Sequence, residues 1–117
     1  MRTSDNQINQ SLKKEIVRTL AQTLADLKGP EEMLIFFKDF FTPAELVTFA
    51  KRLAIAYWLK KGRSYHNIQN NIKVSSATVA EISSLLATES YKLGIKKMEA
   101  EEWANIWLEK IRKLIKK

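Results

Sequence analysis

The sequence predicts an all-α fold, and three features of its patterning carry that prediction. Apolar residues recur at steps of three and four, first through Ile8, Leu12, Ile16, Leu20, Leu24 and Leu27. Residues that start and stop helices stand at the ends of such runs, as Gly29-Pro30, Thr42-Pro43-Ala44-Glu45 and Gly62 do. No stretch shows the apolar–polar alternation of a half-buried strand. Six helices follow.

The first covers residues 8–27, with Val17 beside its apolar stripe. Gly29 suits its C-terminal cap, and Pro30 opens the next segment. The second helix, 31–40, starts with Glu31 and Glu32, where carboxylates meet the positive end of the helix dipole. It carries Met33, Leu34, Phe36, Phe37 and Phe40, with Phe41 trailing. That exceeds one face of a short helix. Either the helix lies deep in a core, or one face meets the core and another meets a second subunit.

The third helix opens on a capping box: Thr42 caps, Pro43 takes the first helical position, and Glu45 returns a bond to the Thr42 amide. Leu46, Phe49, Ala50, Leu53, Ala54, Tyr57 and Trp58 are its expected inward positions, and Gly62 ends it.

Ser64 then caps the first of two short helices joined by a tight turn. Ile68 and Ile72 share one face of the first, Val79 and Ile82 share one face of the second, and Val74 plugs the corner between them. The outward side of the second helix keeps Ser76, Ala77, Thr78, Ala80 and Glu81, all short or polar. Such a helix can enter the major groove and hydrogen-bond to base edges. The pattern is that of a helix-turn-helix, although ordinary helical hairpins share its spacing. The position after Ile72 is expected to turn left-handed, which favours glycine, and Lys73 stands there at a cost on the order of 1 kcal/mol. The second motif helix is expected to run to about Thr88. A less regular stretch is expected around Gly94, followed by a last helix from about Met98 to Lys116. That helix shows Trp103, Ile106, Trp107, Ile111 and Leu114 on one face, with acids early and bases late (Lys110, Arg112, Lys113, Lys116, Lys117).

A length of 117 residues suits one compact domain, residues 1–117, with a core of its own. Zero cysteines exclude disulfides, zinc fingers and thiol chemistry. No apolar run approaches the ~20 residues of a membrane span, and no signal segment opens the chain, so a cytoplasmic protein without a membrane partner is expected. Of the net charge of +7, residues 59–117 carry +6, from twelve basic and six acidic side chains. Positive charge therefore gathers in the half that carries the helix-turn-helix, as a phosphate-binding surface requires. Lys60, Lys61, Arg63, Ser64 and Lys73 are the candidate phosphate contacts. Ser75, Ser76, Ala77, Thr78, Ala80 and Glu81 are the candidate base contacts. His66 is the single histidine, and no paired acids, metal spacing or Gly-rich phosphate loop accompany it, so no enzyme is expected.

The order of these signals resembles the Trp repressor family. The likeness rests on Phe41-Thr42-Pro43-Ala44-Glu45, on Ala50-Lys51-Arg52-Leu53, on Ser75-Ser76-Ala77-Thr78-Val79, and on Trp107-Leu108-Glu109 in a closing amphipathic helix. It covers roughly residues 12–115, and the branch of the family without a known corepressor looks closest. The resemblance implies an intertwined homodimer that reads a palindromic operator on double-stranded DNA as a transcriptional regulator, a repressor. It also implies dimerisation and core helices over 8–58, the helix-turn-helix over 64–88, and a C-terminal dimerisation helix over 98–116. In the tryptophan-responsive members the indole lies between two arginines. Arg52 matches the first, and with Thr42 and Glu81 it marks a candidate effector pocket. The second arginine falls on Glu81, which removes the guanidinium face needed for stacking, and Ile82 fills space that glycine leaves open there. L-tryptophan is therefore not expected as corepressor, and no cofactor is. Arg52 is instead a candidate ion-pair partner for Glu81.

Two other readings are compatible with the residues. Trp58, Trp103 and Trp107 could stack bases of a single strand, but all three fall on apolar helix faces and are expected in the core. A protein-interaction module that keeps the fold without specific DNA readout is the stronger alternative. Glu81 supports it, because a carboxylate repels phosphate.

Overall fold

A computed structural model of the chain describes residues 8–115. Lys116, Lys117 and the side chain of Trp107, named above, lie outside the described residues. All regular structure among the described residues is helical: α1 (Gln10–Asp26), α2 (Gly29–Phe40), α3 (Pro43–Lys60), α4 (Tyr65–Ile68, continued by a π turn at Gln69–Lys73), α5 (Ser76–Leu85) and α6 (Glu89–Ile115). The all-α prediction holds. The chain divides into two compact units, residues 1–43 and 44–117, with the boundary in the first turn of α3.

In the first unit, Asn9 caps α1: its side chain accepts from the amides of Ser11 at 2.8 Å and Leu12 at 3.3 Å. Gly29 takes a φ of +71° as the first residue of α2, and Glu32 accepts a 3.0 Å bond from the amide of Lys28. No residue of α1 or α2 is buried. Leu12, Ile16, Val17 and Leu20 stay exposed along α1, and Leu34, Ile35 and Phe40 along α2. The phenylalanines gather into a chain of ring contacts, Phe36 on Phe40 at 4.6 Å, Phe40 on Phe41 at 5.2 Å and Phe41 on Phe37 at 5.3 Å.

In the second unit, α3 ends in a Schellman motif. The amide of Arg63 bonds the carbonyl of Trp58 at 3.1 Å, that of Gly62 bonds Leu59 at 3.0 Å, and Gly62 takes a φ of +87°. The core comprises Ile55, Ala56, Ile68, Val79, Ile82 and Ile95, with Trp58, Leu59, Ile72, Val74, Leu86 and Tyr91 packed against it. This corrects the expected inward face of α3. Phe49 and Leu53 are 44% and 40% exposed, whereas Ile55 and Ala56 are fully buried. α3 is apolar on more than one side, and the side that meets the helix-turn-helix is the one carrying Ile55.

The C-terminal region also departs from expectation. α5 stops at Leu85, and one continuous helix of 27 residues starts at Glu89, well before Met98. Thr88 starts it, its hydroxyl accepting from the amide of Tyr91 at 3.5 Å and its carbonyl from that of Lys92 at 3.0 Å. Gly94 does not break α6, because a single interior glycine costs only about 1 kcal/mol. The missing Cβ lets α6 approach α3: a methyl there would meet Leu53 Cδ1 at 3.2 Å. Beyond Ile95, the helix exposes its apolar side. Trp103, expected in the core, is 63% exposed, and Ile106, Leu108, Ile111, Leu114 and Ile115 are exposed with it.

Candidate nucleic-acid interface

The core holds the helix-turn-helix by its inner faces. Ile68 on α4 and Val79 on α5 are fully buried, Ile82 nearly so, and Ile72 and Val74 close the corner between them, as their spacing predicts. Ser64 caps α4 by accepting from the amide of Asn67 at 3.1 Å. Ser75 caps α5 by accepting from the amide of Thr78 at 3.1 Å. Ser75→Ala is expected to lower stability by about 1 kcal/mol, read from a urea midpoint. Between the two caps the chain turns left-handed at Lys73, with φ +63°, the conformation foreseen for that position. Lys73→Gly, which removes the Cβ clash, is expected to raise stability by roughly 0.5 to 1 kcal/mol in the same assay.

With its inner face buried, α5 turns Ser76, Ala77, Ala80 and Glu81 outward, all exposed. Thr78, grouped with them from the sequence, is half-buried, and its hydroxyl lies 3.0 Å from that of Ser75. Those two hydroxyls are joined to one another at the start of the helix.

The basic residues divide. Lys60, Arg63, Ser64 and Lys73 are exposed around the motif. Arg63 is braced, its guanidinium 3.8 Å above the Trp58 ring and donating to Asn67 Oδ1 at 3.4 Å. Lys61 is turned to α6: its ammonium pairs with Glu102 Oε2 at 3.1 Å and stands 5.3 Å from the Tyr57 ring centre. Its charge is therefore partly matched within the protein, by a pair that stays exposed at the surface.

A cavity of about 320 Å³ lies between α3 and α5, lined by Thr48, Lys51, Arg52, Ile55, Val74, Thr78, Glu81 and Ile82. It brings Arg52 and Glu81 together, as the candidate effector pocket required. No ion pair joins them among the described residues, and the Arg52 guanidinium stands 6.0 Å from the Phe49 ring centre. Thr42, named with them, belongs to the other compact unit and does not line the cavity. Lys51 was not singled out as a site residue. Its Nζ donates to the carbonyl of Lys73 at 3.2 Å. Residue spacing gives no signal of this contact, because its partners lie 22 residues apart.

A separate groove of about 930 Å³ runs between α3 and α6, with Leu53, Tyr57, Gly94, Met98 and Ile106 among its walls. No helix among the described residues is long and apolar enough to cross a membrane.

Comparison with known proteins agrees with this architecture. An uncharacterised Bacillus subtilis protein, YerC, is 30% identical over 85 residues, covering 71% of this chain and 82% of its own. The crystal structure of a TrpR-like protein from Eubacterium eligens superposes with a TM-score of 0.70 at 27% identity, covering 78% of this chain and 96% of that one. Residues 15–99 match the Trp repressor protein family from within α1 to within α6, and the chain belongs to that family.

Proposed function

We propose that the chain is a sequence-specific DNA-binding regulator, a repressor, that reads a two-fold symmetric operator as a homodimer. The observation that carries this reading is α5: a fully buried inner face fixes the helix, and an outer face of short side chains is left open. Ser76, Ala77, Ala80 and Glu81 would meet base edges, with Ser75 and Thr78 at the helix start. A carboxylate at Glu81 can accept from cytosine N4. Lys60, Lys61, Arg63, Ser64 and Lys73 would hold phosphates. The family supports a DNA-binding regulator rather than an enzyme.

The homodimer is supported by what the single chain leaves uncovered. The single chain leaves apolar residues exposed along α1, α2 and the outer half of α6, and contiguous exposed apolar patches mark interaction surfaces. A second copy of this chain would cover them across an isologous interface. The cavity beside Arg52 is not a tryptophan site in this reading. Glu81 offers a carboxylate where a stacked indole needs a guanidinium, and Ile82 adds bulk beside it. L-tryptophan at millimolar concentration is expected to leave the thermal midpoint unchanged.

The test is selection of bound sites from a random duplex pool by the purified protein without added ligand. Enrichment of a two-fold symmetric motif supports the reading. Binding that shows no sequence preference and disappears as salt rises would favour an interaction module instead, the reading that exposed Glu81 supports.

A further inference from the structure

The junction of the helix-turn-helix is held from outside the motif. Lys51 lies on α3 one turn before fully buried Ile55, and it is half-buried while its neighbour Arg52 is exposed. Its ammonium reaches the carbonyl of Lys73 at 3.2 Å, across 22 residues of sequence. Lys73 is the last residue of the π turn that ends α4. Carbonyls at such an end have no partner inside the helix and form the negative pole of its dipole, where a cation is favoured. Lys73 is also the one non-glycine residue with positive φ among the described residues. That conformation costs a residue with a Cβ on the order of 1 kcal/mol, so it persists when contacts from elsewhere hold it. Core packing holds the two helices from beneath, while Lys51 holds the bend that connects them.

We infer that Lys51 is a positioning residue for DNA reading. By capping the end of α4 it fixes the direction in which α5 leaves the turn. Lys51 lines that cavity together with Val74, Thr78 and Glu81, so its stem also forms part of the wall between α3 and α5. The inference deepens the proposed function and rests on it for the DNA readout.

Two variants of the full chain test it. Lys51→Met keeps the aliphatic stem and removes the ammonium, and Lys51→Arg keeps a cationic donor. Backbone amide exchange across residues 73–79 is followed without DNA. Affinity for the selected duplex and for an unrelated duplex is measured over a range of salt. Lys51→Met is expected to speed exchange across 73–79 about tenfold and leave that of Ile55 and Ala56 unchanged. It is expected to weaken the selected duplex about tenfold, with the salt slope and the unrelated duplex unaffected. Lys51→Arg is expected to restore both. A fall of about one in the salt slope with normal exchange would make Lys51 a phosphate contact and overturn the inference. Exchange and affinity both unchanged in Lys51→Met would also overturn it, as would faster exchange throughout the unit without rescue by Lys51→Arg. If the parent chain selects no duplex, the DNA reading fails, and the exchange of residues 73–79 alone decides whether Lys51 holds the turn.

Discussion

Ile16→Glu combined with Leu20→Glu is expected to abolish self-association, raising the dimer dissociation constant at least a thousandfold. Ile16 is 51% and Leu20 39% exposed in the single chain, and neither belongs to its buried core. In a homodimer each would be covered. Losing two large aliphatic groups forfeits about 2 kcal/mol apiece, and two-fold symmetry doubles the loss. Burying carboxylates in their place adds a further penalty. Sedimentation velocity checks the prediction, with the parent chain as a dimer and the double variant as a monomer. A parent chain that sediments as a monomer at high micromolar concentration would contradict the proposed assembly. In the proposed operator complex DNA affinity should fall as dimerisation is lost, because a monomer would engage only one half-site.

Ile55→Ala carries the second large effect. Ile55 is fully buried and lies in a core of six buried residues among those described. Large-to-small changes at such positions cost about 2–5 kcal/mol, through lost transfer free energy and the cavity left behind. That is a large share of the 5–15 kcal/mol that holds typical domains together. The urea midpoint should fall accordingly. It should also rise with protein concentration in the parent and the variant alike, if folding is linked to assembly. Leu53→Ala, two residues away on the side of α3 that faces Gly94 of α6 and 40% exposed, should cost less in a monomeric background. The contrast separates the two apolar sides of one helix.

The helix-turn-helix was legible because its determinants are local. Ile68, Ile72, Val79 and Ile82 fall within one short segment, so helical periodicity alone selects its inner face. The left-handed turn at Lys73 followed from the same geometry. The inward side of α3 did not follow, because a helix with Leu46, Val47, Phe49, Leu53, Ile55, Ala56 and Leu59 has no single apolar stripe. Periodicity shows that such a helix is covered on more than one side and leaves open which side meets which neighbour. Gly94 was misleading for a related reason. Propensity weighs against glycine in a helix, yet the approach of Leu53 gives the absent Cβ a use. Lys61 and Lys51 illustrate a different limit. Their partners, Glu102 and the Lys73 carbonyl, are distant in sequence, and residue spacing carries no information about contacts of that kind.

The placement of the core has a consequence for folding kinetics. Its six residues lie between Ile55 and Ile95, and the helices that join them follow one another directly in the chain. Only short loops have to close before the core forms, which places this step in the microsecond-to-millisecond range. The long apolar faces of α1 and α6 contribute nothing to that step if they are covered by another molecule. Refolding should then show two phases. The first is a fast, concentration-independent burial of the tryptophan on α3. The second is slower, its rate rises with protein concentration, and Trp103 on α6 reports it.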